Sequence, residues 1–265
     1  MKGRTMTIAT RMTHALSMIM ILAALGAGCR AGREADVSDR EIIDRFNKIF
    51  YDSNVWQKST WMGVLTSQNP CDPWAIQEII FETKPDIIIE TGTWQGGSSL
   101  YFAMILEQVN PSGKVITVDI DNYCDPVAEA FPVFRNNVIF LKGDSVSPAV
   151  LKKIKKLVGV NTKVIVTLDS LHTKEHVLKE LRLYSRFVSL GSYLIVQDTN
   201  IHGHPVFPGF PEGPMEALRE FMKSNDDFVI DRSRNKFLLT SYPDGYLKRV
   251  KERSWPWLSK RKELQ

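Results

Sequence analysis

Cysteine is scarce in this chain: Cys29, Cys71 and Cys124 are the only three in 265 residues, and they form no C-x-x-C pair. Such a set builds neither a disulfide framework nor a structural zinc site, which excludes a stapled secreted scaffold and a zinc-knit module. Acidic residues are missing from the first 30 positions, which hold Lys2, Arg4, Arg11 and Arg30. They are few in residues 247–265, where seven bases face Glu252 and Glu263. The formal net charge is only +4, so the stretch between these basic ends is net acidic. A nucleic-acid groove across the body of the fold is thereby excluded. Charge of either sign is absent from Met12 to Cys29, and Ala15 to Ala27 is almost wholly apolar. This run reads as a membrane anchor or a signal segment ending near Cys29, unless translation starts later at Met12, Met18 or Met20. Internal repeats and low-complexity tracts are absent.

The most informative stretch present is Glu90-Thr91-Gly92-Thr93-Trp94-Gln95-Gly96-Gly97-Ser98-Ser99. It follows the apolar run Ile87-Ile88-Ile89 and leads into a helical pattern from Leu100 to Val109, which gives a strand, a turn and a helix in order. Gly92 can take backbone angles closed to other residues. Gly96 and Gly97 let the main chain approach a ligand at the helix N-terminus, where free N–H groups point outward. The spacing is neither G-x-G-x-x-G nor G-x-x-x-x-G-K-[ST], so the dinucleotide turn and the P-loop both lose ground. Glu90, at the strand's end, repels a phosphate and suits a cationic, hydroxyl-bearing ligand.

From Asp86 onward, strands near 86–90, 114–119, 137–141, 163–168 and 192–197 alternate with helices near 97–109, 147–158 and 173–187. That alternation predicts an α/β fold, a doubly wound and mainly parallel sheet with helices on both faces. The strand ends carry Glu90, Asp119, Asp144 just beyond the third, Asp169 and Asp198, along the rim where ligands of such sheets gather. One Asp there is ordinarily a turn or cap residue, but five acids on one rim predict a site. Upstream, Asp39 opens an amphipathic helix to about Tyr51 whose Ile42, Ile43, Phe46, Ile49 and Phe50 are expected to pack on the main domain. A second helix, Trp74 to Thr83, is closed by Pro85. Downstream, a helix from Pro214 to Lys223 precedes strands near 227–231 and 236–240 joined by a hairpin loop at Arg232 to Asn235. The expected organisation is an anchor-like or signal-like segment 1–30, N-terminal helices in 31–85, the α/β domain in 86–246, and a basic tail 247–265 containing Trp255 and Trp257.

The E-x-G-x-x-x-G form of the turn resembles the first motif of S-adenosylmethionine (SAM)-dependent methyltransferases. Further pieces resemble the cephalosporin hydroxylase/rhamnosyl O-methyltransferase family over roughly residues 55–250. They are Trp61-Met62-Gly63, Gln77-Glu78-Ile79-Ile80, Lys84-Pro85-Asp86, Leu168-Asp169-Ser170-Leu171-His172, His176-Val177-Leu178, Gly203-His204-Pro205, Gly213-Pro214 and Pro243-Asp244-Gly245-Tyr246-Leu247. The resemblance implies a Rossmann-like SAM-dependent methyltransferase fold, a divalent cation such as Mg2+, and methylation of a hydroxyl on a small molecule or on a sugar of a glycolipid or polysaccharide. It places Glu90 and Gly92 at the methionine part of SAM, the amides of Gly96, Gly97 and Ser98 at its carboxylate, and Asp119, or its rival Asp121, at the ribose. Asp144 with Ser145 then sits by the adenine amine, unless Asp144 caps the helix that begins near Pro148.

Asp169 and Asp198 are the implied metal ligands, with Gln197 as a weaker, neutral third where the family usually has Glu. Asp169 and His172 form the implied catalytic pair; His172 is either a general base or a hydrogen-bonding partner of its own loop. His202 and His204 lie on the Gly/Pro-rich stretch 200–214, which is a substrate lid walled by Phe207 and Phe210 or a plain surface loop. His176 reads as helix packing. Oxidative hydroxylation, suggested by the family's other name, lacks an H-x-[DE]…H triad and a haem cysteine. A non-catalytic SAM-fold binding protein is kept open by Gln197. Because SAM is made in the cytosol, residues 1–30 are expected to tether a cytosolic catalytic body to a membrane; export, or lipoprotein processing at Cys29, is the alternative. No feature of the sequence sets the oligomeric state.

Overall fold

β-Branched runs form the centre of a sheet, and the helices between them cover both of its faces. The structure is a computed structural model that describes residues 37–159 and 161–252. The chain divides into two compact units, residues 1–42 and 43–265. Of the first, the described part is 37–42, where Ser38 Oγ accepts from the Glu41 amide (3.3 Å) at the start of helix α1 (Asp39–Asp52). Ser38, rather than Asp39, therefore supplies the cap. Among the described residues no helix is long and apolar enough to cross a membrane. The anchor-like segment 1–30 and the tryptophans of the tail lie outside the described residues.

A short hairpin, β1 (Thr60–Trp61) and β2 (Val64–Leu65), precedes α2 (Cys71–Thr83). The sheet proper begins with β3 (Ile87–Thr91), followed by α3 (Gly97–Val109), β4 (Lys114–Asp119), the short helices α4 (Pro126–Ala130) and α5 (Pro132–Asn137), and β5 (Val138–Lys142). Then come α6 (Pro148–Leu157), β6 (Val164–Leu168), α7 (Lys174–Tyr184), β7 (Tyr193–Val196), α8 (Pro214–Lys223), β8 (Phe228–Ile230) and β9 (Tyr246–Arg249). The strand order is β5-β4-β3-β6-β7-β9-β8, with β9 alone running antiparallel to its neighbours. The predicted α/β, doubly wound architecture is what forms.

Because strand side chains alternate in direction, one strand feeds two cores. Ile87, Ile89, Val164, Val166, Leu194 and Val196 face α6, α7 and α8 through Ile154, Leu181 and Phe221. Ile88, Val115, Ile165 and Ile195 face α2 and α3 through Ile76, Ile79, Leu100 and Phe102. The chain runs from β3 outward to β5, then returns to β6 and continues the other way, so the sheet reverses between β3 and β6. At such a switch point the loops leaving the strand ends diverge and open a crevice.

Three expectations are corrected. On α1 the apolar stripe packs only in part: Phe46 and Ile49 are exposed (54% and 66%), whereas Ile43 and Phe50 are half-buried and Asn47 is buried. Helix α2 starts at Cys71, three residues before the expected Trp74. The segment 236–240 is not a strand, because Thr240 Oγ1 and the Ser241 amide donate to the buried carboxylate of Asp72 (2.5 and 2.8 Å), which pulls this stretch off the ladder. The antiparallel last strand is instead β9, which runs past residue 246, where the domain was expected to end, to the buried Arg249.

Candidate active site

Strands β3 and β6 are in register, with Thr91 beside Leu168, so Gly92 and Asp169 leave the sheet side by side at the switch point. The Asp169 amide donates to Thr91 O (2.9 Å). Gly92 has φ 87°, and a Cβ there would collide with the Asp169 carbonyl. Glycine is thus what lets the first turn cross the end of β6. Below the turn, Glu90 is fully buried and accepts from Ser98 Oγ (2.5 Å), Ser99 Oγ and Thr117 Oγ1 (2.7 Å). Burial raises its carboxyl to about 7 against the opposing hydroxyl bonds.

Around this turn lies a cavity of about 470 Å3 lined by Gly92, Trp94, Asp119, Asp144, Ser145, Asp169, Leu171 and His176, among others. Asp119 is set rigidly, with Oδ2 accepting from the Trp94 amide (2.8 Å) and Oδ1 from Ile120 (2.7 Å). Its rival Asp121 points elsewhere, paired with Lys142 (2.6 Å) on the surface. Ser147 caps α6, which leaves Asp144 to bend the preceding turn through the Val146 amide (3.0 Å). Of the eight residues expected at the cofactor, Gly92, Asp119, Asp144 and Ser145 line the cavity, whereas Glu90, Gly96, Gly97 and Ser98 do not. The space beside Gly97 is taken by the Leu65 carbonyl, and that beside Gly96 by Phe134 and Cys124. His176, read as packing, does line it: Nε2 lies 3.1 Å from Ser145 Oγ and 3.5 Å from Glu180 Oε1.

On the other side of Asp169 the ends of β6 and β7 bring together Asp169, His172 and Asp198. His172 Nε2 lies 3.2 Å from Asp169 Oδ1 and 3.3 Å from Asp198 Oδ2. Burial raises the carboxyls of Asp169, to about 6, and Asp198; the charge of Asp198 adds to the first, while His172 opposes both. Burial works against a charged imidazole, yet the hydrogen bond to Asp169 and the two carboxylate charges outweigh it and lift His172 to about 9. In this arrangement His172 is an imidazolium donating between two carboxylates. Two carboxylates and one imidazole suit a hard, oxygen-preferring divalent cation and invert the two-His, one-carboxylate set of iron oxygenases.

Gln197, expected as a weaker, neutral third ligand, has hydrogen-bond partners of its own. Its Oε1 accepts from Gln68 Nε2 (3.1 Å) and from the Tyr242 hydroxyl, and its Nε2 donates to Thr167 Oγ1 (2.8 Å). Every polar atom of the amide is engaged, and the residue forms part of a wall. The wall belongs to a second, small cavity of about 40 Å3 that also touches Asp169 and Asp198 and includes Asn47, Tyr51, Trp56, Gln68, Asn69, Asn200 and Tyr242. Tyr51 stacks on Trp56 (5.3 Å between centroids) and leans toward Phe207 (6.4 Å), itself beside Phe210 (5.5 Å). His204 is paired with Glu216 (2.6 Å) and His202 with the Phe210 carbonyl, so both imidazoles brace this loop.

This sheet order, its single antiparallel strand and a crevice at the first turn define the SAM-dependent methyltransferase class of α/β folds. A family model described as "Rhamnosyl O-methyltransferase/CmcI" matches residues 53–250. The chain belongs to that family and is a SAM-dependent O-methyltransferase. It is 40% identical over 210 residues to the rhamnosyl O-methyltransferase of Mycobacterium tuberculosis, covering 78% of this chain and 84% of that one. It is 34% identical to the enzyme of the same name from Mycobacterium leprae, covering 78% and 90%. Among solved structures it resembles CmcI with Mg and SAM, at TM-score 0.54 and 21% identity over 74% of this chain and 78% of that one.

Proposed function

We propose that this enzyme methylates a hydroxyl of a sugar, a rhamnosyl group first among candidates, with help from a divalent cation held by Asp169 and Asp198. The observation that carries the reading is the position of Asp169, which lines both the large cavity beside the Gly92 turn and the small polar one beyond it. A methyl donor and its acceptor meet at such a shared wall. The relatives' shared name supports the sugar acceptor. So do the neutral amides of Asn47, Gln68, Asn69 and Asn200 and the rings of Tyr51 and Trp56, which suit an uncharged, hydroxyl-rich ligand.

Each step follows from a named group. Asp119 accepts from the ribose hydroxyls, while Trp94, Ile120 and Leu171 wall the ring and Ser145 with His176 closes its polar end. Asp169 and Asp198 supply hard oxygen donors, and burial, which raises their carboxyls by disfavouring the charged form, is a cost that a cation beside them would offset. When bound, such a cation lowers the pKa of an acceptor hydroxyl and orients it. His172 donates between the two carboxylates and holds them in place; a cation on those carboxylates would offset the charge that keeps the imidazole protonated, and so free its nitrogen to take the hydroxyl proton. Gln197 braces the wall through Tyr242 and Gln68.

Incubation with isotopically labelled SAM, Mg2+ and methyl α-L-rhamnopyranoside should give a labelled methyl ether by mass spectrometry and lose it on chelation. Absence of any labelled rhamnoside overturns the acceptor, and undiminished transfer after exhaustive chelation overturns the cation.

We propose also that residues 1–30 tether the enzyme to the cytosolic face of a membrane, a reading supported by the uncharged run from Met12 to Cys29. Protease access on intact spheroplasts tests it: cleavage of the catalytic body from outside overturns a cytosolic tether.

A further inference from the structure

We infer that Asn200 reads a second hydroxyl of the acceptor, so that one oxygen of a vicinal diol is methylated while its neighbour is held; this rests on the sugar-acceptor reading above. Three buried side-chain atoms among the described residues have no hydrogen-bond partner: Glu180 Oε2, Ser192 Oγ and Asn200 Oδ1. Of these residues only Asn200 lines the cavity that holds Asp169 and Asp198. It stands two residues beyond Asp198, and its main chain is held at three points. The Asn200 amide donates to Ser241 O (3.2 Å), and its carbonyl accepts from His204 N (3.1 Å) and Val206 N (3.0 Å). The side chain is therefore set by a braced backbone and not by a partner of its own.

A buried amide oxygen without a donor is costly, and a ligand that brings an O–H removes that cost. The chemistry of the surroundings selects which ligand. Apart from Asp169 and Asp198, the polar side chains of this cavity are neutral: Asn47, Gln68, Asn69 and Gln197 among them. A cationic donor would pair with Asp169 and Asp198 themselves, whereas a hydroxyl matches a neutral acceptor. Size selects further. About 40 Å3 takes the reacting edge of a sugar, two adjacent hydroxyl-bearing carbons, and leaves the rest of the ring outside. With one hydroxyl of that edge at Asp169 and Asp198, the next falls to Asn200. The product is then a mono-ether with a free hydroxyl beside it.

The test uses the full chain with SAM, Mg2+, methyl α-L-rhamnopyranoside and its three monodeoxy analogues. NMR of the product identifies the methylated oxygen and so the analogue that lacks its neighbour. Wild-type kcat/KM should fall about 10- to 100-fold on that analogue. Asn200→Ala should fall by a similar factor on the parent sugar and treat parent and analogue alike; Asn200→Ser provides the same comparison should the alanine variant not fold. Equal wild-type rates on parent and analogue overturn the proposal, as do losses that multiply in the variant. Should no rhamnoside be methylated, the acceptor reading falls and this proposal with it; a methylated product indifferent to the neighbouring hydroxyl overturns this proposal alone.

Discussion

The Tyr242 hydroxyl and the Gln68 amide donate to the same oxygen of Gln197, across 45 and 129 residues of sequence. Two donors converging on one acceptor make position 197 a receptor for oxygen, whether that oxygen is neutral or charged. The third neighbour, Thr167 Oγ1, accepts now and can turn to donate. Gln197→Glu should therefore fold, with its new charge solvated by three donors. It adds an anion to a cavity that already contains Asp169 and Asp198. In the absence of metal, thermal stability at pH 8 should drop by about 1–3 kcal/mol. Mg2+ should restore it and bind about tenfold or more tightly than to wild type. Calorimetric titration and melting curves with and without Mg2+ check both; unchanged Mg2+ affinity would show that position 197 does not reach the cation.

Asp169→Asn should lower methyl transfer by at least about 100-fold, because it removes an anionic oxygen donor and one side of the His172 bridge. Chelation of wild type should cost about as much. The two losses should not multiply, since both act through one cation. Rates measured with labelled SAM, with and without chelator, on both proteins decide this. A further full loss on chelating the variant would place the cation on other residues.

Gly92→Ala should destabilise by more than about 3 kcal/mol, because its Cβ meets the Asp169 carbonyl and the residue sits at φ 87°. Gly96→Ala has a similar φ of 81°, but its nearest neighbour is the Phe134 ring at 3.2 Å, and its cost should be nearer 1–2 kcal/mol. Urea unfolding of both variants measures the difference. Equal midpoints would mean that the close approach of β3 and β6 is not rigid.

The sequence made the sheet, the switch point and the carboxylates of its rim legible, because strand and helix periodicity and strand-end acids are local signals. Asp169 and Asp198 were readable for that reason, and so was the turn at Gly92. The partners of Gln197 were not, since Gln68 and Tyr242 come from loops far along the chain with no pattern of their own. Residues 236–240 read as a strand because Phe237-Leu238-Leu239 is apolar; the buried Asp72 that diverts the segment is about 170 residues away. The same holds for His176, whose place in α7 shows a helix but not the cavity it meets. For Gly96 and Gly97 the sequence signalled close approach but not that Phe134 and the Leu65 carbonyl lie on the side where a Cβ would stand, because those neighbours come from distant segments.

Glu90 offers a pH test governed mainly by burial, with the charge of Asp169 adding a smaller push in the same direction. Its carboxyl is fully buried among three hydroxyls and burial raises it from an ordinary 4.5 to about 7. Between those values the folded protein holds a proton that the unfolded chain has lost, so folding takes up a proton there. Stability from this group is therefore greatest below about pH 4.5 and is lost as pH rises through 7, when either the carboxylate is buried charged or the protein unfolds. The full span corresponds to roughly 3 kcal/mol. Glu90→Gln keeps the shape of the protonated side chain and cannot ionise, and its amide can still meet the hydroxyls of Ser98, Ser99 and Thr117. Relative to wild type, the variant should gain stability steadily from pH 4.5 to 7.5 and level off above. Melting temperatures of the two proteins across that range give the difference curve directly. A flat difference would mean that Glu90 is ionised throughout, with the three hydroxyls sufficient to hold its charge.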